Sequence, residues 1–283
     1  MRQDLPPDGE GGRPPEGLCD WLASPQGRHK ADRVRVAELP GGPLVVKRRV
    51  AGAVRTRLGR FLRAMRVLLV ALLCGLAMGE YPEPAELLGV GLEQEADRLR
   101  RLRAQGQRVP AVLWQQPGML VLEYVGEDVP HRLRRVAPAD RIALMRHVGA
   151  DLAQFHRAGF SHGGAQLRNL TVRQDGLWRI DFEENVASAL SRPLAQAYDV
   201  VQMLASTLRL RQVPEAELAE LARAALQAYL DGGPDPAVLA RLRRVAALAA
   251  RLDPLRPALS HVHRREMRAV LGTAEAMKLL LTA

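Results

Sequence analysis

Apolar and polar positions in the first half of the chain alternate in short runs that predict β-strands. Residues 34–39 alternate and are rich in β-formers, 40–43 hold a Gly-Gly pair between prolines, and 44–47 run apolar up to a lysine. Strand, turn residues and strand in this order are typical of a β-hairpin. A second strand pair, with a short turn between its members, is predicted over 112–114 and 119–124.

Between the two strand pairs, a charged helix is predicted over 92–105 and is ended by Gly106. Leu99 and Leu102 mark its apolar face. Glu95 lies one turn earlier, at a phase that would turn its carboxylate inward.

Helical periodicity dominates the second half. It begins at Pro138 and stops at Gly159. Further helical stretches are predicted over 194–208, 215–230, 236–252 and 263–281. A polar, Gly-rich loop at 162–169 interrupts this pattern and is followed by two short β-like runs, 170–172 and 178–182.

These elements predict an α+β fold of two lobes, a small β-rich lobe and a larger helical lobe. We expect a disordered leader over 1–17, a β-rich lobe over 18–125 with a basic and apolar insertion at about 50–90, and a helical lobe over 126–283. The 283 residues, 47% of them hydrophobic, suffice for a substantial core.

The charge balance indicates an anionic partner. Lys and Arg total 41 against 31 Asp and Glu, a formal net charge of +10. Arginine supplies nearly all of the positive charge, because lysine occurs only at Lys30, Lys47 and Lys278. Nucleic acid is not the expected partner, since the basic residues are dispersed and aromatic residues, on which bases stack, make up only 4% of the chain.

The segment 55–79 begins with arginines at roughly helical spacing and continues into an uncharged apolar run. The run is shorter than the ~20 residues needed to cross a bilayer. It is therefore either a helix lying on anionic lipid or a buried helix with a solvated basic lead-in. Two cysteines, Cys19 and Cys74, are too few for a disulfide framework, so we expect a cytoplasmic protein. The first of the two alternatives for 55–79 would add peripheral contact at the inner membrane.

Candidate chemistry is concentrated in two motifs. Residues from His162 to Asn169 read His-Gly-Gly-Ala-Gln-Leu-Arg-Asn, and Asp181 stands in Ile-Asp-Phe-Glu-Glu. Their spacing resembles the catalytic loop and metal-binding turn of protein kinases. Mg²⁺ prefers oxygen ligands, so Asn169 and Asp181 are the expected metal ligands and catalytic residues. The alternative is that Asn169 only caps a turn and that Asp181 is a solvated carboxylate at a strand end.

Lys47 ends the run Val-Val-Lys and resembles the strand lysine that holds the α- and β-phosphates of ATP in kinases. A buried lysine needs a carboxylate partner. Glu95 is the expected partner, and Glu93 of the same predicted helix is the competitor. The alternative for Lys47 is an exposed charge at a strand end.

Two further segments resemble kinase elements. Glu123, Tyr124 and Val125 resemble the hinge, whose backbone groups would pair with the adenine edge. Asp199 resembles the helical aspartate that anchors the catalytic-loop backbone, and the alternative is a solvent-exposed carboxylate. His162 is expected to organise the loop rather than to act as a base.

Over about residues 30–210 the chain is similar to the bacterial lipopolysaccharide-core and Kdo kinase-like group, near the Bud32 and RIO-type atypical kinases. The resemblance implies a bilobal protein-kinase-like fold, with ATP and Mg²⁺ as cofactors. It also implies phosphate transfer to a hydroxyl of an envelope glycolipid, a sugar or a protein.

One catalytic position departs from the kinase pattern. An aspartate is expected five residues before the metal-binding asparagine, where this chain has Gly164. Gln166 is the expected residue to position the acceptor hydroxyl, with Glu183 or Glu184 as substitutes for the missing base. General-base help is typically worth about 10²- to 10⁴-fold, so slow transfer is still expected. The alternative function is a pseudokinase that binds nucleotide and scaffolds partners without transferring phosphate.

The segment 24–32 also departs from the pattern, because it has one glycine where kinases have a Gly-rich loop over the phosphates. Its basic residues Arg28, His29 and Lys30 are expected to contact phosphate through their side chains.

Overall fold

The computed structural model describes residues 13–28, 33–49, 75, 79–80, 91–183, 189–211, 213–252, 272–273, 275–278 and 281. Most of the leader, most of the segment 55–79 and most of the helix predicted over 263–281 therefore lie outside the described residues. The chain forms two compact units. The first holds the described residues within 1–65, 90–126 and 178–183, and the second holds those within 66–89, 127–177 and 184–283.

A four-stranded antiparallel sheet organises the first unit. Its strands are β1 (Val34–Leu39), β2 (Gly42–Arg48), β3 (Val112–Gln116) and β4 (Met119–Glu123). Their order across the sheet is β1-β2-β4-β3, which places β2 between two hydrogen-bonded neighbours. The β1–β2 and β3–β4 hairpins confirm both predicted strand pairs.

Helices cover this sheet. The two short ones are α1 (Leu18–Ala23) and α2 (Pro25–Arg28), and the long one is α3 (Leu92–Ala104). Leu18 of α1 packs with Val46 and Val121 of the sheet in one apolar cluster. The long helix α3 packs against β3 and β4 and buries Leu92, Ala96, Leu99 and Leu102.

The pair α1 and α2 was not predicted, and part of it replaces the expected phosphate loop. Ser24 separates the helices, and its Oγ accepts a hydrogen bond from Gly27 N at 3.1 Å. Gly27 lies against the backbone of Trp21. A Cβ at position 27 would lie 2.0 Å from the Trp21 carbonyl oxygen. Burial of Leu18 stabilises a segment too short to be helical by itself.

A smaller sheet holds β5 (Glu127–Asp128), β6 (Leu170–Arg173) and β7 (Gly176–Arg179), in that order. The run predicted over 178–182 was placed too late, because β7 begins at Gly176 and ends at Arg179. The residues that follow Arg179 are not in a strand, and Asp181 has a positive φ.

Helices form most of the second unit. They are α4 (Val129–Arg135), α5 (Pro138–Arg157), α6 (Arg192–Leu208), α7 (Leu218–Asp231) and α8 (Pro236–Leu252), with 3₁₀ turns at Leu167–Asn169 and Glu215–Glu217. Gly149 of α5 lies so close to α7 that a Cβ would sit 1.9 Å from the Ala225 carbonyl oxygen. The buried faces of α5, α6 and α7 contribute to one apolar core.

The α+β class, with a small antiparallel sheet in one unit and a helical second unit, is confirmed. The helices predicted from Pro138 and over 92–105, 194–208, 215–230 and 236–252 are confirmed, with ends shifted by up to three residues. The short α4 and β5 were not predicted. In the part of the chain that the structure describes, no helix is long and apolar enough to cross a membrane.

Candidate nucleotide and metal site

Lys47 is the centre of an ion cluster in the first unit. It lies in β2, opposite Val34 of β1 and Leu120 of β4, and is only 4% exposed. Its Nζ donates to Glu95 Oε1 at 2.7 Å and to Asp181 Oδ1 at 2.9 Å. The exposed strand-end alternative for Lys47 is wrong, because this ammonium is buried and paired.

The cluster keeps Lys47 charged. Burial by itself would lower the pKa of Lys47, but the carboxylates of Glu95, Asp181 and Glu183 together raise that pKa above its ordinary value. The ammonium is thus a fixed positive charge across the physiological pH range. A fixed cation of this kind suits phosphate oxygens.

Glu95 reaches the cluster from α3. It is fully buried, and its Oε1 also accepts a hydrogen bond from Phe182 N at 3.2 Å. Burial raises the pKa of Glu95 above its usual range, and the Lys47 charge opposes that effect. Glu93 is exposed on the same helix, so the structure pairs Lys47 with Glu95 and not with the competitor.

Asp181 lies two residues after the end of β7 in a strained backbone conformation. Its φ is 65°, the left-handed region that residues other than glycine seldom adopt and that Asp tolerates better than most. The next residue, Phe182, is buried, and the Arg98 guanidinium carbon of α3 lies 5.0 Å from the centroid of its ring. This anchoring of Phe182 on α3 holds the neighbouring Asp181 carboxylate at Lys47.

Glu183 and Arg33 complete the cluster. Glu183 Oε1 lies 3.6 Å from Lys47 Nζ, and Glu183 Oε2 pairs with the Arg33 guanidinium. Arg33 was missed by sequence reasoning, although an arginine directly before the first strand of the lysine hairpin is a visible signal. Glu183 was considered only as a substitute base, yet its carboxylate is engaged by two cations.

The catalytic-loop motif lies in the second unit. Asn169 ends the 3₁₀ turn Leu167–Asn169, is 7% exposed, and donates from Nδ2 to the Gly164 carbonyl oxygen at 2.9 Å. That bond turns Oδ1, the atom able to ligate a cation, away from Gly164. Gln166 is partly exposed, and its carbonyl accepts from Asn169 N at 2.8 Å. Within this loop Asn169 and Gln166 are brought together.

Asp199 of α6 holds the start of that loop. It is fully buried and accepts hydrogen bonds from His162 N at 2.5 Å and Gly163 N at 2.8 Å. His156 Nε2 lies 3.3 Å from Asp199 Oδ2, and His156 Nδ1 lies 2.9 Å from the Tyr229 hydroxyl. The solvent-exposed alternative for Asp199 is wrong.

Despite its burial, Asp199 is stabilised as a carboxylate. Burial tends to raise its pKa, but hydrogen bonding and charge from His156, together with the contribution of His162, bring the pKa below its ordinary value. The pKa of Tyr229 is raised, chiefly by burial and then by the charge of Asp199. Tyr229 therefore keeps its hydroxyl proton, and its hydroxyl shares a hydrogen bond with His156 Nδ1.

Two residues that sequence reasoning missed extend this support along α6. Gln196 Nε2 donates to the carbonyl oxygens of His156 and Phe160, each at 2.9 Å. Ser206 Oγ accepts from Leu167 N at 3.0 Å. Together with Asp199 they form a polar stripe on α6 that binds loop backbone, and the available signal was polar residues within an otherwise apolar helix.

The expected hinge residues follow β4. Glu123 N donates to the Ala111 carbonyl at 3.0 Å, so an adenine contact at this residue would use its carbonyl oxygen. Tyr124 is 37% exposed and Val125 is buried. Gly126 has a φ of 97°, which permits the turn that ends the segment.

Of the remaining candidates, Arg28 ends α2 and is exposed, whereas His29, Lys30 and Glu184 lie outside the described residues. Among the residues that the structure describes, no group of three or more His, Cys, Asp or Glu side chains forms a ready-made metal site.

Comparison with known proteins finds one domain family and two curated proteins that match part of this chain. A model of the RIO domain matches residues 82–201, which is less than half of the chain. The KEOPS complex subunit Bud32 of Pyrococcus abyssi is 32% identical over 92 residues, which is 31% of this chain and 42% of that protein.

A probable bifunctional tRNA threonylcarbamoyladenosine biosynthesis protein of Natronomonas pharaonis is 38% identical over 91 residues, 31% of this chain and 16% of that protein. The matches thus span less than half of each curated relative.

Solved structures give weaker likenesses. A MAP kinase from Leishmania major has 13% identity and a TM-score of 0.33, over 88% of this chain and 77% of that one. A choline kinase from Cryptosporidium parvum has 11% identity and a TM-score of 0.32, over 91% of this chain and 90% of that one. Over part of its length this chain is therefore similar to the RIO domain, to the Bud32 subunit and to the Natronomonas pharaonis protein.

Proposed function

We propose that this chain is an ATP- and Mg²⁺-dependent phosphotransferase of atypical kinase type that acts on a hydroxyl group. The observation that carries the proposal is the buried ammonium of Lys47, bonded at once to Glu95 and to Asp181. In kinases a strand lysine holds phosphates, a helical glutamate orients it, and an aspartate holds Mg²⁺. The cluster brings together the three residue types that this chemistry needs.

Each residue has a proposed role. Lys47 binds the α- and β-phosphates and Glu95 orients it, while Asp181 and Asn169 supply oxygen ligands for the metal. Backbone groups of Glu123, Tyr124 and Val125 bind the adenine edge, and Gln166 positions the acceptor hydroxyl. Asp199 and His162 keep the loop backbone in place. When bound, Mg²⁺ supplies neutralisation of the phosphate charge.

A pseudokinase is the second candidate, and Gly164 favours it. The position where the kinase base is expected carries no side chain, and Glu183 is held by Arg33 and lies near Lys47. In this second function the chain binds nucleotide and scaffolds partners without turnover.

The acceptor is proposed from resemblance. Likeness to the lipopolysaccharide-core and Kdo kinase-like group favours an envelope glycolipid or a sugar as the acceptor. The chain would then act in the cytoplasm and contact the inner membrane through the segment 55–79. A protein acceptor or partner is the alternative, because one relative is a subunit of the KEOPS complex. The net charge of +10 fits an anionic acceptor surface.

Calorimetry of Mg·ATP binding, with phosphate release followed in the same samples, tests the proposal. We expect the wild-type chain to bind Mg·ATP, and Asp181→Ala to lose the Mg²⁺-dependent part of the affinity. Asp231→Ala, at an exposed position of α7, is the matched control and should bind normally. Turnover by the wild type distinguishes the kinase from the pseudokinase, and absence of binding by the wild type would overturn both.

A further inference from the structure

The Glu183 carboxylate lies between two cations. One oxygen, Oε2, pairs with the guanidinium of Arg33, and the other, Oε1, lies 3.6 Å from the ammonium of Lys47. The Glu183 side chain is only 10% exposed, whereas that of Arg33 is 53% exposed. A single internal anion thus joins the buried lysine to an accessible arginine.

Lys47 does not depend on Glu183 for a partner. It already bonds Glu95 at 2.7 Å and Asp181 at 2.9 Å, whereas 3.6 Å from Glu183 exceeds ordinary hydrogen-bond length. Of the three carboxylates around Lys47, Glu183 is therefore the one whose departure costs that lysine least. Its main contact is with Arg33.

The position of Arg33 is well defined although its side chain is accessible. It directly precedes β1, and its carbonyl accepts a hydrogen bond from Arg48 N of β2 at 2.8 Å. This bond holds the start of β1 beside the strand that carries Lys47. A guanidinium presents two parallel N–H donors that match the oxygens of a phosphate as well as those of a carboxylate.

We propose that Arg33 is a phosphate-binding residue and that Glu183 is its resting counter-ion, which a nucleotide phosphate displaces. The proposal rests on the proposed nucleotide-binding function. Kinases cover the phosphates with backbone amides of a Gly-rich loop, a loop that the residues before Arg33 do not reproduce. Arg33 supplies a side-chain cation in its place, and Glu183 occupies the anion position between Arg33 and Lys47 until phosphate arrives.

This model makes opposite predictions for the two partners. Loss of the Arg33 charge removes a charge-assisted bond to phosphate, so Arg33→Gln should weaken Mg·ATP binding by about 10- to 100-fold. Loss of the Glu183 charge removes the competitor, so Glu183→Gln should tighten binding by about 3- to 10-fold. A structural ion pair on the surface would leave the affinity unchanged in both variants.

The double variant tests whether the two effects are coupled. If Glu183 acts by occupying Arg33, the gain from Glu183→Gln should shrink when Arg33 is also glutamine. If Glu183 acts only by general repulsion of phosphate, the gain should persist in full in the double variant. That second result would overturn displacement from Arg33.

The experiment is isothermal titration calorimetry of Mg·ATP, and separately of inorganic tripolyphosphate, into the full chain. The proteins are wild type, Arg33→Gln, Glu183→Gln and the double variant. Arg101→Gln and Glu93→Gln, at exposed positions of α3, are matched charge controls. Thermal unfolding of each nucleotide-free protein verifies folding.

The possible outcomes separate this inference from the proposed function. If the wild type and the controls bind Mg·ATP and both single variants bind equally well, Arg33 and Glu183 have no such role and the nucleotide site stands. If tripolyphosphate shows the same ranking as ATP, the contact is to phosphate, as proposed. If no protein binds either ligand, the proposed function and this inference fail together.

Discussion

At the scale of single residues, Lys47 shows why the cluster needs all of its members. A buried ammonium is costly unless it is paired and hydrogen-bonded, and a buried carboxylate is equally costly without a cation. Lys47 and Glu95 satisfy each other at 2.7 Å. Asp181, with a side chain 41% exposed, adds a second carboxylate on the accessible side. One residue thus links the stability of the first unit to the proposed chemistry.

Replacement of Lys47 should therefore have two effects. Lys47→Met keeps the side-chain length but removes the charge, so nucleotide affinity should fall at least about tenfold through loss of a charge-assisted bond. The free energy of unfolding should fall by about 3 kcal/mol, because Glu95 stays buried without its cation. Calorimetry and urea unfolding measure the two effects.

Lys278→Met is the control for that variant, since Lys278 is an exposed lysine of the second unit. It should leave both quantities unchanged. Normal nucleotide affinity in Lys47→Met would contradict the assignment of Lys47 as the phosphate-binding residue.

At the scale of elements, α6 acts as a support for the loop that carries Asn169. Its polar stripe of Gln196, Asp199 and Ser206 binds backbone groups of residues before and within that loop. Backbone groups in an irregular buried loop need partners, because an unpaired buried polar group costs about 1–3 kcal/mol. A rigid helix with side chains at fixed intervals supplies those partners and holds the loop in one conformation.

The Asp199 carboxylate should make stability depend on pH in a defined direction. Its pKa is lower in the folded chain than in the unfolded one, so its contribution is fully present above the unfolded pKa. The contribution is lost as pH falls through the folded pKa. Asp199→Asn should therefore lower the free energy of unfolding by about 2 kcal/mol at pH 7, and by progressively less below about pH 4.

Urea unfolding of wild type and Asp199→Asn at several pH values measures this difference. Asp231→Asn, at an exposed position of α7, is the control. A difference that stays constant down to pH 3, or grows, would show that the ionised form of Asp199 does not stabilise the fold.

At the scale of the whole molecule, the two compact units differ in secondary structure, and each has its own apolar cluster. The first is built on an antiparallel sheet, with Leu18, Val46 and Val121 in its apolar cluster. The second is built on helices, with α5 and α7 in direct backbone approach at Gly149. A charge of +10 over such a chain favours association with anionic surfaces, and salt weakens that association.

We predict that the full chain binds vesicles of anionic lipid through the segment 55–79. A variant with five arginines changed to glutamine, at Arg55, Arg57, Arg60, Arg63 and Arg66, should lose most of this binding, since each basic residue near an anionic surface contributes about 1 kcal/mol. Co-sedimentation with vesicles containing phosphatidylserine, at low and at physiological salt, measures it.

The matched control for this variant removes the same charge elsewhere, at the exposed residues Arg101, Arg132, Arg134, Arg146 and Arg223. If both variants lose binding equally, net charge rather than the segment 55–79 determines association. If neither loses binding, or the wild type does not bind, contact with the membrane through this segment is refuted.

Much of this protein was readable from local pattern. Alternation predicted the hairpin of β1 and β2, and apolar spacing predicted α3 and α5, because strand and helix periods are properties of the chain itself. Motif spacing likewise identified Lys47, Asp181, Asn169 and Asp199 as candidates. These signals are carried by residue type and order, so they do not depend on the fold.

The tertiary structure decided what pairs with what. Helical phase favoured Glu95 over Glu93, but the packing of α3 against the sheet decides which of the two carboxylates meets Lys47. Arg33 and Glu183 are 150 positions apart, so no local pattern relates them. The same holds for His156 and Tyr229, whose contact requires the packing of two helices. Pairings between distant residues arise only when burial brings their elements together and leaves each buried charge in need of a partner.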